Sequence, residues 1–242
     1  MDLIAAYQQL EDRGHAVVAG MYSPEEMAAI AGKLQQQEGS DPQFRRGAEL
    51  FAIRRLLHAI PDLRPLIFTP ALRQLLEACH LQNGFLTKSI YFDKPADSNW
   101  FVAWHQDISI SVDAKHELPG YSQWTHKAGV TGVVPPIEVL TSTLTVRIHL
   151  DDTTETNGAL RVVEGSQSQG IIRKEAEPWD PSREVTCAVP AGGVMLMRPL
   201  TMHASRRSTH GGRRRVIHLE FNDRDLPSPL EWAERIPLSW TD

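Results

Sequence analysis

The 242-residue chain carries only two cysteines, Cys79 and Cys187, far apart and without a CxxC pair. That scarcity argues against a disulfide framework or a cysteine-rich metal site and suits buried free thiols in a reducing compartment. No apolar run approaches the length of a membrane span, and the stretch MDLIAAYQQLEDRG lacks the basic flank and apolar core of a secretory signal. A cytoplasmic protein with no membrane partner is the expectation. A basic surplus is missing too, since 25 Lys and Arg stand against 30 Asp and Glu, for a formal net charge of −5. A general nucleic-acid binder needs the opposite balance, so no nucleic-acid partner is expected. The one basic run, Arg213-Arg214-Arg215, therefore needs a local explanation. Repeats, low-complexity tracts and obvious linkers are also absent. With 41% hydrophobic residues the chain can bury a sizeable core, and one domain over residues 1–242 is expected.

What is present changes in texture along the chain. Residues 1–82 read as a mainly helical flank. Ser23-Pro24-Glu25-Glu26 supplies an N-cap, a proline at the first helical position and acids in the first turn, opening a helix to about Gln37. Thr69-Pro70 opens another toward Cys79. After Asn83-Gly84 come short β-prone runs separated by Pro, Gly, Asn and Asp: 85–92, 101–112, 144–150, 159–163, 185–189, 194–197 and 216–221. Helices followed by seven or more short strands predict a mainly β fold, a sandwich or barrel over residues 83–225 with helices packed outside it. Residues 111–140 show little periodicity and read as a long loop, a functional lid in which Tyr121, Trp124, His126 and Lys127 cover or line a substrate pocket.

The segment Trp104-His105-Gln106-Asp107-Ile108-Ser109 raises the question of a metal. In a strand, His105 and Asp107 project to one side and Gln106 to the other. Non-haem iron(II) oxygenases take two imidazoles and one carboxylate on a single face, so a second histidine has to arrive from elsewhere. His15, His58 and His80 fall in the helical part, and His116 and His126 in the irregular segment. His149, His210 and His218 lie in or near the β region without supporting neighbours. His203 has them: it follows the turn Pro190-Ala191-Gly192-Gly193 and the apolar strand Val194–Met197, and Ser205 shares its face. Eleven residues further on, Arg214 offers a guanidinium suited to clamping a carboxylate through two charge-assisted bonds. At least one of the three neighbouring arginines is a solvated residue at the start of a strand.

These pieces in order resemble the phytanoyl-CoA dioxygenase-like family of iron(II)- and 2-oxoglutarate-dependent oxygenases. The matching segments are 104–107, Leu150-Asp151-Asp152-Thr153, Asn157-Gly158 through Ser166, Gly192-Gly193, His203-Ala204-Ser205 and Gly212-Arg213-Arg214. The resemblance implies a double-stranded β-helix, a cupin-like jelly roll whose interior holds the metal. It implies His105, Asp107 and His203 as iron ligands, Arg214 gripping the distal carboxylate of the cosubstrate 2-oxoglutarate, and Ser205 assisting. Asn157-Gly158 matches a structural turn. The chain departs from the family at Gln167, where relatives often carry His, and at Arg147, where they commonly carry Trp. Arg147 then reaches the cosubstrate or an acidic substrate group, or pairs with a core carboxylate. Lys88, in line with Ile90 and Phe92, faces either this site or solvent. The implied reaction uses dioxygen and 2-oxoglutarate to oxidise an unactivated C–H of a small-molecule substrate, releasing succinate and carbon dioxide. Related halogenases lack the carboxylate that Asp107 supplies, so hydroxylation is favoured over halogenation. The alternatives are a metal-dependent jelly-roll enzyme without 2-oxoglutarate, which leaves Arg214 and Ser205 unexplained, and a non-catalytic metal-binding protein on the same fold.

Overall fold

Helix α1 (Leu3–Arg13) starts on Asp2, whose side chain accepts from the Ala5 amide, and ends on Gly14 at φ +82°. A Cβ at Gly14 would lie 2.4 Å from Gln167 Oε1 and 2.5 Å from Thr201 Oγ1, so the left-handed turn and the close approach both require glycine. The chain thereby reverses directly into β1 (His15–Val18). Helix α2 (Pro24–Gln36) begins with a reciprocal cap: the Glu26 amide donates to Ser23 Oγ at 3.2 Å and the Ser23 amide to Glu26 Oε2 at 2.7 Å. The hairpin β2 (Phe44–Arg46) and β3 (Phe51–Arg54) follows. Two short helical segments, α3 (Leu56–Ala59) and α4 (Arg64–Ile67), lead to α5 (Pro70–Ala78), capped by Thr69. The structure, a computed structural model, describes residues 2–36, 44–46, 51–94, 101–127, 129–172, 179–208 and 213–240, the side chains of 44–46 and 51 excepted. His210 and Gly212 lie outside the described residues.

The β region continues with β4 (Phe85–Lys94), β5 (Val102–His105), β6 (Ile110–Val112), β7 (Ser122–Lys127) and β8 (Val130–Val134). After the short α6 (Ile137–Thr141) come β9 (Leu144–His149), β10 (Leu160–Val163) and β11 (Glu184–Cys187). The last strands are β12 (Val194–Met197), β13 (His203–Ser205), β14 (Arg214–Asn222) and β15 (Ile236–Pro237). The larger sheet runs β1-β12-β9-β14-β4-β3-β2, with β15 also on β4, and the smaller runs β11-β10-β13-β5. Antiparallel sheets stacked in this way form the mainly β jelly roll that the order of elements suggests. The N-terminal flank is less helical than its sequence reads. β1 lies along β12, with His15 opposite Met197 and Val18 opposite Val194, and β3 lies along β4.

Residues 111–140 differ from the loop expected of them. Strands β6, β8 and β7 make a third antiparallel sheet, with α6 at its end. Its amphipathic signal is weak because β7 is a largely exposed edge ribbon in which Trp124 alone packs on an apolar cluster. Only β6 and β8 carry buried anchors. Ile110, Val112 and Val133 pack with Leu230 and Trp232 of the C-terminal segment.

The outer face of the larger sheet holds the main core. Val146, Ile148, Leu196, Ile217 and Leu219 are buried against Leu10, Ile30, Leu72 and Leu76 of the helices. The space between the two sheets is filled at one end by Leu160, Val162, Cys187, Met195 and Met197. At the other end the inner faces of β4, β9 and β14 turn polar, and the space stays open as a cavity of about 460 Å3. Both thiols are buried and unpaired. No helix among the described residues is long and apolar enough to cross a membrane.

Candidate functional site

Strand register dictates what faces the cavity. Side chains of one parity on β14, beginning at Arg214, stand beside the matching parity on β4 and β9. The first rung pairs Arg214 with Lys94, and the second sets Val216 between Phe92 and His149. The third runs Arg54, Ile90, His218, Arg147 across four strands, and the fourth sets Glu220 beside Lys88. The roof comes from the smaller sheet, with His105, His203, Ser205 and Leu160, and from the third sheet, with Ser111, Thr125, Lys127 and Gly132.

His105 and His203 are register partners on β5 and β13, and their ring centroids lie 4.2 Å apart. Each ring is tied back through Nδ1, to the Ala103 carbonyl at 2.8 Å and the Thr201 carbonyl at 2.9 Å. A ring that donates through Nδ1 leaves Nε2 with a free lone pair, the arrangement that orients histidine for a metal. Both Nε2 atoms face Asp107, at 3.8 Å from Oδ1 for His105 and 3.7 Å from Oδ2 for His203. These ligand atoms all lie within 4.8 Å of one another. Asp107 stands beyond the end of β5 rather than on it, so strand alternation alone does not place it. Its amide donates to the Pro199 carbonyl at 2.9 Å. Gln106 turns away as expected and locks the bend, donating to the Leu200 carbonyl at 2.6 Å and accepting from the Ile172 amide at 2.8 Å.

The electrostatics keep Asp107 and His203 in their ligating forms. Burial pushes the Asp107 carboxyl up, but His203, His218, Lys88 and His105 outweigh it and hold the group well below the usual carboxylate range. Burial pulls His203 down to about 4 against the opposing pull of Asp107, so its imidazole stays neutral.

A second polar chain runs beside this triad. Arg147 Nη1 donates to His218 Nδ1 at 3.0 Å, His218 Nε2 donates to Glu220 Oε1 at 3.1 Å, and Lys88 Nζ meets the same oxygen at 2.7 Å. Asp107, His218 and Glu220 also lie close enough to surround an ion. Both His218 nitrogens are engaged, however, so the group with free donors is His105, Asp107 and His203. His218 thus has the neighbours that its sequence context does not reveal.

Deeper in the cavity three cations gather. Burial, reinforced by Arg147, lowers Arg214 to about 10, and burial lowers Arg147 to about 10. Lys94 is drawn down to about 8 by burial and by Arg214. Arg147 Nε in the cavity wall, and His149 Nε2 beside Arg147 and Arg214, are buried without a hydrogen-bond partner among the described residues. Such orphaned polar atoms and crowded cations suit an anionic ligand with several acceptor oxygens.

The structure brings together His105, Asp107, His203, Ser205, Arg214, Arg147, Lys88 and Ile90 around one cavity, and Lys127 joins them. The other three lid residues do not line it. Tyr121 and Trp124 pack on the Ile110–Trp232 cluster, and His126 is exposed, near Thr131 Oγ1 at 3.3 Å. The reason is strand parity, which sends Thr125 and Lys127 inward and Trp124 and His126 outward. Trp104 also faces away, packing on Trp179 with Arg161 5.0 Å above its ring. Sequence reading misses Lys94, His149, Glu220 and Arg54. The signal for Lys94 is period-2 continuation from Lys88 through Ile90 and Phe92, which extends the strand two residues beyond the apolar run that ends at Phe92.

Solved structures of similar fold include AviO1 from Streptomyces viridochromogenes, with TM-score 0.65, 19% identity, and coverage of 93% of this chain and 97% of that one. The epimerase SnoN from nogalamycin biosynthesis, solved with Fe3+, α-ketoglutarate and nogalamycin RO, matches at TM-score 0.65 and 19% identity over 98% and 95% of the two chains. EvdO2 from Micromonospora carbonacea var. aurantiaca, complexed with 2-oxoglutarate, matches at TM-score 0.65 and 18% identity over 98% and 96%. Among curated proteins, L-proline trans-4-hydroxylase of Streptomyces griseoviridis is 24% identical over 147 residues, 49% of this chain and 47% of the relative. The chain thus spans about half the length of the curated relative it matches. The phytanoyl-CoA dioxygenase (PhyH) family matches residues 10–216, most of the chain, and the protein belongs to that family.

Proposed function

We propose that the protein is an iron(II)- and 2-oxoglutarate-dependent dioxygenase that hydroxylates an unactivated C–H of a small molecule. The observation that carries this reading is the convergence of two Nδ1-tethered imidazoles on Asp107 in a cavity that also holds the buried guanidinium of Arg214. His105, Asp107 and His203 would hold the iron, and Arg214 with Ser205 the distal carboxylate of 2-oxoglutarate. The orphaned Arg147 Nε and His149 Nε2 support an anionic cosubstrate at that end. When bound, iron and 2-oxoglutarate supply the power to activate dioxygen, with succinate and carbon dioxide as products.

The protein's own part is binding, orientation and exclusion of water. Ala103 and Thr201 fix the two rings, and the surroundings of Asp107 hold its carboxyl well below the usual carboxylate range. The third sheet, through Thr125, Lys127 and Gly132, covers the cavity from the solvent side. Hydroxylation is favoured because the carboxylate ligand is present and because the curated relative is named as a hydroxylase, although structural neighbours include an epimerase and a carbocyclase. Two buried, unpaired thiols support a cytoplasmic setting.

The test is an anaerobic titration of the protein with iron(II) and 2-oxoglutarate, followed by aerobic assays for substrate-stimulated succinate and for the mass of the product. Addition of one oxygen atom to the substrate, matched to succinate, is the expected result. Failure of 2-oxoglutarate to bind the metal-loaded protein would sink the assignment, and a product of unchanged mass would replace hydroxylation by epimerisation.

A further inference from the structure

The cavity carries more positive charge than its metal and cosubstrate use. Its wall holds six Lys and Arg side chains, Arg54, Lys88, Lys94, Lys127, Arg147 and Arg214, against two carboxylates, Asp107 and Glu220. The excess is four positive charges, and a dication with a dianion leaves it unchanged. Lys88 is engaged by Glu220. Lys94, Arg147 and Arg214 cluster at the end assigned to the cosubstrate. Arg54 and Lys127 remain at the opposite side, and neither has an ion-pair partner among the described residues.

Their position is set by strand order. Arg54 and Arg147 end the same rung, separated by three strand spacings, roughly 14 Å at about 4.8 Å each. Arg54 therefore stands on the floor beneath the third sheet, and shares a small side pocket with Ser111 and Val130. Val130 is the register partner of Lys127, which lines the cavity from above. One cation on the floor and one on the roof, with the hydroxyls of Ser111 and Thr125 beside them, form a site for an anionic group. From this geometry we infer that the substrate carries a carboxylate or phosphate, bound between Arg54 and Lys127 while its reacting carbon points to the His105/Asp107/His203 end. The inference rests on the proposed function for the identity of that end. It assigns Arg54 and Lys127 as specificity-determining residues.

The test uses the full chain loaded anaerobically with iron(II) and saturating 2-oxoglutarate, so that anions cannot occupy the Arg214 end. Two probe series are titrated by calorimetry and by the visible charge-transfer band of the complex. One series contains butyrate, hexanoate and free amino acids beside their amides, and the other glycerol phosphate and hexyl phosphate beside their alcohols. The expected result is that members of one series bind at least about tenfold more tightly than their uncharged counterparts. Arg54→Gln and Lys127→Gln should each remove that preference, and Arg54→Lys should restore most of it. Their 2-oxoglutarate affinity and thermal midpoint should match the wild type, since both side chains are exposed. The responding series tells a carboxylic acid from a phosphate ester. Equal binding of charged and uncharged probes, indifference to both substitutions, or no binding of any anion overturns the inference. A protein that fails to bind 2-oxoglutarate removes the proposed function instead. The same substitutions, read on anion binding to the unloaded protein, then decide the inference separately.

Discussion

Three consecutive arginines show how strand parity divides identical side chains. Arg213 forks onto Asp93, with Nη2 at 2.6 Å and Nε at 3.0 Å, and Arg215 forks onto Asp151 at 2.7 and 2.9 Å. The carboxylates raise the pKa of both guanidiniums. Arg214, one residue from each, points into the cavity, donates to the Gly158 carbonyl and is lowered by burial. The three substitutions to alanine should therefore separate. Arg214→Ala should weaken 2-oxoglutarate binding by about 2–5 kcal/mol, roughly 30-fold to several thousandfold, and Arg214→Lys should recover only part of it because the planar fork is lost. Arg215→Ala should cost about 1 kcal/mol of stability or less and leave 2-oxoglutarate binding intact. Calorimetry and thermal denaturation on the variants read both quantities, and equal losses of affinity at 214 and 215 would refute the division. Spacing from His203 was enough to single out Arg214 in the sequence. Its neighbour Lys94 was not legible, because a lysine at a strand end reads as solvated until a partner strand buries it.

Among the elements, the turn before β10 does more than connect strands. The Thr154 amide donates to Asn157 Oδ1 at 2.8 Å, and Asn157 Nδ2 donates to the Asp152 carbonyl at 2.7 Å. This closed turn presents Gly158 at φ +88°, with its carbonyl on Arg214. A Cβ at Gly158 would come within 3.1 Å of the Arg206 carbonyl, 3.4 Å of Lys94 Nζ and 3.7 Å of Arg214 Nη1. Gly158→Ala should thus cost about 1–2 kcal/mol from the left-handed backbone, a fall of roughly 2–8 °C in Tm for a chain of this size. It should also weaken 2-oxoglutarate binding several-fold, because the turn must move off the Arg206 carbonyl and carries with it the Gly158 carbonyl that holds Arg214. Unchanged affinity alongside the lower Tm would confine the turn to a structural role. The Asn-Gly pair made the turn readable, while its grip on Arg214 depends on β10 and β14 meeting across the cavity. The third sheet is illegible in the sequence for a related reason. A largely exposed edge ribbon such as β7 follows from its pairing with β8, which no local pattern records.

For the whole molecule, the helical flank packs on the β core and adds a strand to its larger sheet. β1 completes the larger sheet along β12, and the apolar outer face of that sheet is covered by α1, α2 and α5. The strands after Asn83-Gly84 are legible in the sequence, and so is the order of the candidate metal-site segments, whereas β1, β2 and β3 within the flank are not. The union of the two parts is not legible either, since His15 and Met197 are joined across nearly the whole chain by backbone bonds that leave no periodic signal. A fragment of residues 83–225 would expose the edge of β12 and the faces of Val146, Ile148, Leu196, Ile217 and Leu219, a surface that drives aggregation. The intact chain should unfold in a single transition followed alike by far-ultraviolet circular dichroism and tryptophan fluorescence, and the fragment should be insoluble or lack a cooperative transition. A soluble 83–225 fragment that unfolds cooperatively and binds iron(II) through the His105, Asp107 and His203 site would mean that the flank is dispensable. In that case the β1–β12 pairing would add stability to a core that specifies itself.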